Sequence, residues 1–177
     1  TDKEFKRIFD KWLNNEYKSI KRKALLQNKN NSFPAFNEIV IIKNSPTRLL
    51  DVILETYDQK VKLRADGLII STSLGSTAYN YSAGGPIVQN DIESIIITPI
   101  SPFTKFPRSI VINKESNIKI TIIKNQNFAI QFDGVVEIES KLKEDKVYEY
   151  NLSNKSIKLL EDNTYPKLDR FLNQILR

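Results

Sequence analysis

The sequence contains no cysteine, no histidine and no methionine among its 177 residues. Disulfides, thiolate metal sites and imidazole chemistry are therefore excluded, and any catalysis must use carboxylates, hydroxyls, amides, lysine or arginine. No apolar run is long enough to span a membrane, and no basic segment followed by an apolar one opens the chain. We therefore expect a cytoplasmic protein without a membrane partner. Because the chain begins at Thr1-Asp2 without an initiator methionine, we expect it to be part of a longer protein.

The positive charge of the chain does not predict a nucleic-acid partner. The formal net charge is +6 at neutral pH, and an excess of this sign attracts phosphates and nucleic acids. The basic residues are scattered, however, and the aromatic signature of RNA-binding modules is missing. A lysine-rich surface explains the charge, so no nucleic-acid partner is expected.

Apolar periodicity predicts a helix at each end of the chain and many short strands between them. The terminal helices are predicted from apolar stripes in residues 3–15 and 168–176. The strands are predicted at residues 38–43, 48–56, 60–64, 68–72, 94–98, 109–112, 117–123, 127–132, 146–152 and 156–160. A short helix is predicted over 76–83, with Ser76 as its N-cap, and residues 124–126 are interpreted as a hairpin turn. This succession favours a mainly β fold (α+β overall): a two-sheet, sandwich-like domain with an embedded short helix and flanking terminal helices.

Glycine is scarce, and all five glycines lie in three short motifs. Asp66-Gly67 precedes the apolar run 68–70, and Asp133-Gly134 follows the alternating strand 127–132. The third motif is the block 75–86, which contains Gly75, Gly84 and Gly85. Glycine permits positive φ or a close approach of the backbone, so each motif is a candidate for a tight turn beside a polar site. An ordinary turn is the stronger interpretation of either Asp-Gly pair taken alone.

The block 71–86 and the pair Asn37-Glu38 are the candidates for a ligand site. Hydroxyl-bearing residues end a strand and open the predicted helix, where free N–H groups and the helix dipole favour an anion. Small side chains allow a planar group to approach, and Tyr79 offers a ring for stacking. A nucleotide site and a well-capped linking helix fit this block equally well. Asn37-Glu38 can read a base edge and sugar hydroxyls, although such a pair alone is more often a turn that leads into a strand.

Together these motifs resemble those of the bacterial NAD kinases. The resemblance lies in Asn37-Glu38 and in the segments 65–72, 75–79 and 82–87. In addition, residues 97–102 with Arg108 resemble the T-P-x-x-P…R segment of the family. Asp133-Gly134 resembles its later D-G motif, and Thr1-Asp2 resembles the end of its G-F-L-T-D segment. The resemblance implies an N-terminal α/β domain followed by a C-terminal β domain. It also implies transfer of the ATP γ-phosphoryl group to the adenosine ribose 2′-hydroxyl of NAD, which gives NADP.

By this resemblance the chain is the NAD-binding half of such an enzyme. It implies a helical linking segment over residues 1–27, a β-rich NAD-binding domain over 33–161, and a C-terminal helix over 162–177 that packs back on the N-terminal domain. The general-base aspartate belongs to a G-G-D-G motif that this sequence does not contain. No catalytic residue and no metal ligand are therefore expected here, and the fragment alone is expected to be inactive. Mg²⁺ or another divalent cation would accompany ATP, with its contacts mostly in the other domain.

The resemblance also implies which residues meet NAD. Asn37 would contact adenine and Glu38 a ribose, and Asp133 would support the same site. Asp66, with Arg64, would meet the nicotinamide end, across a subunit interface of a homodimer or homotetramer. The adenine and ribose pocket would be lined by Thr77, Ala78, Tyr79, Asn80, Tyr81 and Ser82.

Several positions depart from the pattern of the family. Ser73-Leu74 stand where Pro-Thr is common, Phe103 replaces a frequent histidine, and Val135 replaces a frequent glutamine. These departures leave open whether ATP or polyphosphate is the phosphate donor and whether NAD or NADH is preferred. Two other functions also stay open: a lipid kinase of the related two-domain group, and a non-catalytic nucleotide-binding domain.

Overall fold

The computed structural model describes residues 2–28, 33–57, 59–89, 91–103 and 108–161. The described residues fall into two compact units, one formed by residues 23–155 and the other by residues 2–22 and 156–161. The larger unit is built from two β-sheets, which confirms the predicted mainly β class. No helix within the described ranges has the length and apolar character needed to cross a membrane.

Most of the strands have four to seven residues and run antiparallel to the strands beside them. In chain order the helices and strands are α1 (Asp2–Leu13), β1 (Lys18–Gln27), β2 (Glu38–Lys43), β3 (Leu50–Thr56), β4 (Gln59–Ala65), β5 (Gly67–Thr72), a 3-10 turn (Leu74–Thr77), α2 (Tyr79–Ser82), β6 (Ser94–Ile100), β7 (Ile110–Asn113), β8 (Ile118–Ile122), β9 (Asn127–Phe132), β10 (Val135–Lys141) and β11 (Lys146–Glu161). One sheet has the order β1–β11–β8–β3–β4, and the other has the order β10–β9–β2–β5–β6–β7.

The hydrophobic core lies between the two sheets of the larger unit. Alternate residues of each strand face it, such as Ile39 and Ile41 of β2 and Ile118, Ile120 and Ile122 of β8. The central strand β5 is buried along its whole length, because its second face is covered as well. On that second face the side chain of Thr98, in the neighbouring β6, donates a hydrogen bond to Asn80 of α2.

Residues 124–126 do not form a hairpin turn, contrary to the sequence prediction. β8 and β9, which they connect, belong to different sheets, so this segment carries the chain from one layer of the sandwich to the other. The side-chain amide of Gln126 fixes the crossing. It accepts the N–H of Asp51 at 2.5 Å and donates to the carbonyls of Asp51 and Ile123, each at 2.8 Å. β8 and β9 alternate with the same period, so their pattern does not reveal that they face the core from opposite sides.

Three further elements differ from the sequence prediction. Residues 1–27 are not helical throughout, because β1 occupies Lys18–Gln27. Its lysines, alanine and leucines favour helix locally, but pairing at the edge of a sheet overrides that preference. The strand β10, which pairs with β9, was not predicted, and the two strands expected at 146–152 and 156–160 form the single strand β11. The predicted C-terminal helix lies outside the described residues.

The helix α1 confirms the helical stripe expected near the start of the chain. Its apolar side chains, Phe5, Ile8, Phe9, Trp12 and Leu13, are 42–70% exposed. The ring of Phe9 stacks on that of Phe5, with the two centroids 6.1 Å apart. The centroid of the Trp12 ring lies 5.7 Å from that of Phe9. The stripe is therefore organised along one side of the helix while much of its surface stays accessible.

The single helix predicted over 76–83 is divided into two pieces. The 3-10 turn Leu74–Thr77 ends at Ala78, whose backbone (φ −88°, ψ −134°) is not helical, and α2 begins at Tyr79. Ser76 is not an N-cap: its hydroxyl is buried and donates to the carbonyl of Val88 at 3.1 Å. The division leaves the backbone N–H of Tyr79 without a helical partner, since the first N–H groups of a helix have none.

Candidate functional site

The candidate site lies at one end of the six-stranded sheet. β2 runs antiparallel to both of its neighbours, so Glu38 at its start pairs with Ser71 near the end of β5. On the other side Ile39 pairs with Phe132, the last residue of β9. Asp133 therefore follows directly beside Glu38. The register of three strands thus brings Asn37-Glu38, the start of the 71–86 block and Asp133-Gly134 to the same edge.

The carboxylate of Asp133 holds the start of β2 in place. Its Oδ2 accepts the backbone N–H of Phe36 at 2.7 Å. Its Oδ1 accepts the N–H groups of Asn37 at 2.8 Å and Glu38 at 3.1 Å. The backbone N–H of Asp133 donates in return to the carbonyl of Glu38 at 3.1 Å. Asp133 has φ +47°, in the left-handed region that aspartate tolerates better than most residues. Asp133 thus forms a clamp on the Phe36–Asn37–Glu38 backbone.

Glu38 is a buried carboxylate at this edge of the sheet. The side chain is 7% exposed, and its Oε2 has no hydrogen-bond partner among the described residues. The backbone N–H of Tyr79 lies near enough to the carboxylate to act on its pKa. Burial, and secondly the neighbouring charge of Asp133, raise the pKa of Glu38 to about 7, although the Tyr79 N–H acts in the opposite direction. A buried acceptor without a partner costs free energy, so Oε2 is suited to a ligand that donates a hydrogen bond.

The raised pKa of Glu38 predicts a stability that depends on pH. The pKa lies above the ordinary value of 4.5, so Glu38 contributes stability that is fully present below about pH 4.5 and is lost as the pH rises through about 7. Relative to Glu38→Gln, the free energy of unfolding of the wild type should fall by roughly 2 kcal/mol between about pH 5 and about pH 7. Urea unfolding of both proteins at the two pH values measures this difference. Equal changes in the two proteins would show that Glu38 ionises normally.

Gly75 brings the 71–86 block into contact with Asn37. A β-carbon at this position would lie 2.1 Å from the carbonyl oxygen of Asn37, 2.5 Å from its carbonyl carbon and 2.6 Å from its Cα. These atoms belong to the backbone and cannot rotate away. Gly75 is therefore required for a close approach of two chain segments, which is one of the two roles expected for the glycines of this sequence.

The residues after Gly75 separate into exposed and buried groups. Tyr79 and Tyr81 are 40% and 44% exposed, Ser82 is exposed, and Thr77 and Ala78 are half-buried. These five predicted binding residues are accessible to a ligand.

Asn80, predicted to meet NAD together with these five, is instead fully buried. Its amide donates to the carbonyls of Ser76 and Pro86, both at 3.0 Å, and accepts the hydroxyl of Thr98 at 2.7 Å. A β-carbon on Gly85 would lie 2.1 Å from its Oδ1. The side chain is surrounded by protein groups, so we assign Asn80 to the support of α2 rather than to the lining of the pocket.

Arg64 and Asp66 lie away from the other predicted site residues. β5 has six residues, so its two ends are roughly 17 Å apart at about 3.3 Å per residue. Asp66 precedes β5, whereas Ser71 and Glu38 lie at the far end. Each of the two residues is paired with a different partner: Lys43 Nζ lies 2.5 Å from Asp66 Oδ1, and Arg64 Nε lies 3.1 Å from Asp51 Oδ1.

Two contributors to the site were not recognised in the sequence. Phe36 contributes its backbone N–H to the Asp133 clamp. Thr72 bonds to two segments at the site, whereas the sequence pattern indicates only that it ends a strand. Backbone groups leave no signal in a sequence. The cluster of hydroxyls at 71–73 was a visible signal for Thr72, but the register of β2 against β5 was needed to interpret it.

Within the ranges that the structure covers, no group of three acidic side chains is arranged to hold a metal ion. We derive no step of a reaction through a metal.

Fold and site together define a class of protein: a two-sheet β domain that presents a clamped Asn-Glu pair beside a short, partly exposed helix. The profile of the ATP-NAD kinase C-terminal domain matches residues 36–161, and this confirms the resemblance seen in the motifs. The chain belongs to the NAD kinase family and contains its C-terminal domain.

Individual relatives agree with this assignment. The NAD kinase of Borreliella burgdorferi is 32% identical over 184 residues, covering 98% of this chain and 65% of the relative. The NAD kinase of Methanothermobacter thermautotrophicus is 40% identical over 130 residues, covering 72% of this chain and 46% of the relative. The chain thus spans less than two thirds of the length of these curated relatives.

Solved structures show the same fold. The NAD kinase of Archaeoglobus fulgidus, in complex with ATP, superposes with a TM-score of 0.82 at 22% identity and covers 97% of this chain and 66% of that one. Yeast NADH kinase, in complex with NADH, superposes with a TM-score of 0.81 at 26% identity and covers 98% and 53%. The first of these likenesses concerns the fold alone, because its sequence identity is low.

Proposed function

We propose that this chain is the NAD-binding part of an NAD kinase. The complete enzyme phosphorylates the adenosine ribose 2′-hydroxyl of NAD, with ATP or polyphosphate as donor, to give NADP. The observation that carries the proposal is the buried carboxylate of Glu38, whose Oε2 has no partner among the described residues, together with the exposed ring of Tyr79, a residue whose backbone N–H acts on that carboxylate. An acceptor for a sugar hydroxyl beside a ring for base stacking is the chemistry that an adenosine group requires.

The proposed task of these residues is to bind and orient NAD. Glu38 accepts a ribose hydroxyl, the Asn37 amide contacts adenine, and Thr77, Ala78, Tyr79 and Ser82 line the pocket. Phosphoryl transfer depends mostly on positioning and charge neutralisation, so holding the 2′-hydroxyl in line is a substantial part of the catalysis. The general base, and the contacts to Mg²⁺ or another divalent cation on the ATP phosphates, are assigned to a separate domain. We therefore expect residues 1–177 alone to form no NADP.

We further propose that the nicotinamide end of NAD meets Asp66 and Arg64 of a neighbouring protomer in a homodimer or homotetramer. The separation of roughly 17 Å along β5 supports this arrangement, because Asp66 lies at the far end of the strand from Ser71, which pairs with Glu38. Asp66 remains 31% exposed despite its ion pair with Lys43, so it is accessible to a second copy.

Glu38→Gln in the full-length protein tests the proposal. Glutamine keeps the size of the side chain, but it removes the charge that faces the ribose hydroxyl. Loss of one charge-assisted hydrogen bond should weaken NAD binding about tenfold, with the dissociation constant measured by calorimetry.

A matched control is Glu55→Gln, which removes a carboxylate paired with Lys60 at 3.3 Å in the other sheet. It should leave NAD affinity within about twofold of the wild type, because exposed ion pairs are weak and this one is remote. If Glu38→Gln binds NAD as tightly as the Glu55→Gln control, the pocket has been assigned to the wrong residues.

A further inference from the structure

Two chain segments that are far apart in sequence form the walls of the candidate pocket. One is the Phe36–Asn37–Glu38 backbone, and the other runs from Gly75 to Tyr79. Gly75 lies against the Asn37 backbone, and the Tyr79 N–H is near enough to the Glu38 carboxylate to act on its pKa, so the surroundings of that carboxylate depend on the distance between the walls. A residue that fixes that distance would affect NAD binding without touching NAD.

Thr72 lies between these walls and is 4% exposed. Its hydroxyl donates to the carbonyl of Phe36 at 2.6 Å and accepts the N–H of Gly75 at 3.0 Å. Its own N–H donates to the carbonyl of Asn37 at 2.9 Å. A hydroxyl has one proton to donate. Here the proton is donated to a carbonyl of the first wall, and a lone pair of the same oxygen accepts an N–H of the second wall.

The neighbouring serines are used differently. The hydroxyl of Ser71 has two carbonyls within reach of its one proton, those of Asn37 at 3.2 Å and Thr72 at 3.0 Å, and so reaches only the first wall. The hydroxyl of Ser73 bonds with Ser94 and with the carbonyl of Ile92, away from the site. Among the three hydroxyls, Thr72 alone connects the two walls.

We propose that Thr72 is a positioning residue for dinucleotide binding: its hydroxyl joins the Phe36–Asn37–Glu38 segment to the Gly75–Tyr79 segment and thereby places the Glu38 carboxylate for the ribose. The proposal rests on the function proposed above. It goes further by naming a residue that has no contact with the ligand and by stating what that residue holds together.

Thr72→Val in the full-length protein tests the proposal, because valine has the shape of threonine without the hydroxyl. The KM for NAD should rise about tenfold with little change in the KM for ATP. Thr72→Ser, which keeps the hydroxyl, should restore the KM for NAD to within about twofold of the wild type. Ser73→Ala, which removes a hydroxyl buried to a similar degree but bonded elsewhere, should leave the KM for NAD unchanged.

A second readout separates positioning from a loss of stability. If Thr72 acts by placing the Glu38 carboxylate, its effect should depend on that carboxylate, so Thr72→Val should raise the KM for NAD much less in a Glu38→Gln background than in the wild type, and Ser73→Ala should have no effect in either. A lower melting temperature with an unchanged KM, or effects of Thr72→Val and Glu38→Gln that simply multiply, would overturn the positioning role. Failure of the wild type to bind NAD would instead overturn the proposed function.

Discussion

Gly75→Ala is expected to disrupt the candidate site more than a methyl group added at any other position of the site. The new β-carbon would lie 2.1 Å from the Asn37 carbonyl oxygen and under 3 Å from two more backbone atoms of the same residue. Either the 3-10 turn or the start of β2 must move, and both are walls of the pocket. We expect a loss of more than about 3 kcal/mol of stability and a decrease in NAD affinity of more than about a hundredfold. Chemical denaturation and NAD calorimetry on the full-length protein measure the two effects.

Gly84→Ala is the matched control for this substitution. Gly84 has φ +84°, which strains any residue with a β-carbon, but nothing lies within 4 Å of the place the β-carbon would take. A cost of about 1–2 kcal/mol is expected from the backbone conformation alone, with NAD affinity nearly preserved. If Gly84→Ala proves as damaging as Gly75→Ala, the close approach to Asn37 is not what the glycine provides.

Asp133→Ala should release the start of β2. The substitution removes an acceptor of three backbone N–H bonds and places alanine at φ +47°. Charge-assisted bonds contribute about 1.5–3 kcal/mol each when buried, but water can reach part of this cluster, so we expect a total loss of about 3 kcal/mol. NAD affinity should fall on the order of a hundredfold, because Asn37 and Glu38 lose their fixed backbone. The two quantities are measured by urea unfolding and by calorimetry.

Asp145→Ala is the control that distinguishes loss of the Asp133 clamp from a general loss of stability. Asp145 also accepts a backbone N–H, that of Lys124 at 2.8 Å, but at the crossing between the sheets. Its replacement should lower stability by about 1 kcal/mol and leave NAD binding unchanged. Tight NAD binding by Asp133→Ala would contradict the clamp, whatever the change in stability.

The sequence predicts strands correctly where apolar and polar residues alternate. It does not predict them where pairing with a strand distant in sequence determines the structure. β2 and β9 have the predicted bounds, because each begins or ends at a polar residue beside a clear apolar run. β1 is lysine-rich and has no such alternation, so its place at a sheet edge follows from long-range contacts that a local pattern does not contain. The same holds for 124–126: alternation shows that β8 and β9 each face a core, but not that they belong to different sheets.

The site shows the same division between local and long-range information. Asn37, Glu38 and Asp133 were singled out in the sequence, and the structure places them at one sheet edge. Their relation could not be predicted, because it depends on the registers of β2 against β5 and β9. Asn80 has a residue type suited to a ligand, yet its burial follows from packing against β6. Likewise, the pairing of Arg64 with Asp51 depends on the register of β3 against β4.

The most direct test is a crystal structure of the full-length protein with NAD bound. A ribose hydroxyl of the adenosine half is expected within about 3.2 Å of Glu38 Oε2, with the adenine against Tyr79 and near the Asn37 amide, and with the Asp133 clamp unchanged. A dinucleotide bound elsewhere, or a Glu38 carboxylate that meets only protein groups in the complex, would contradict the proposed binding site.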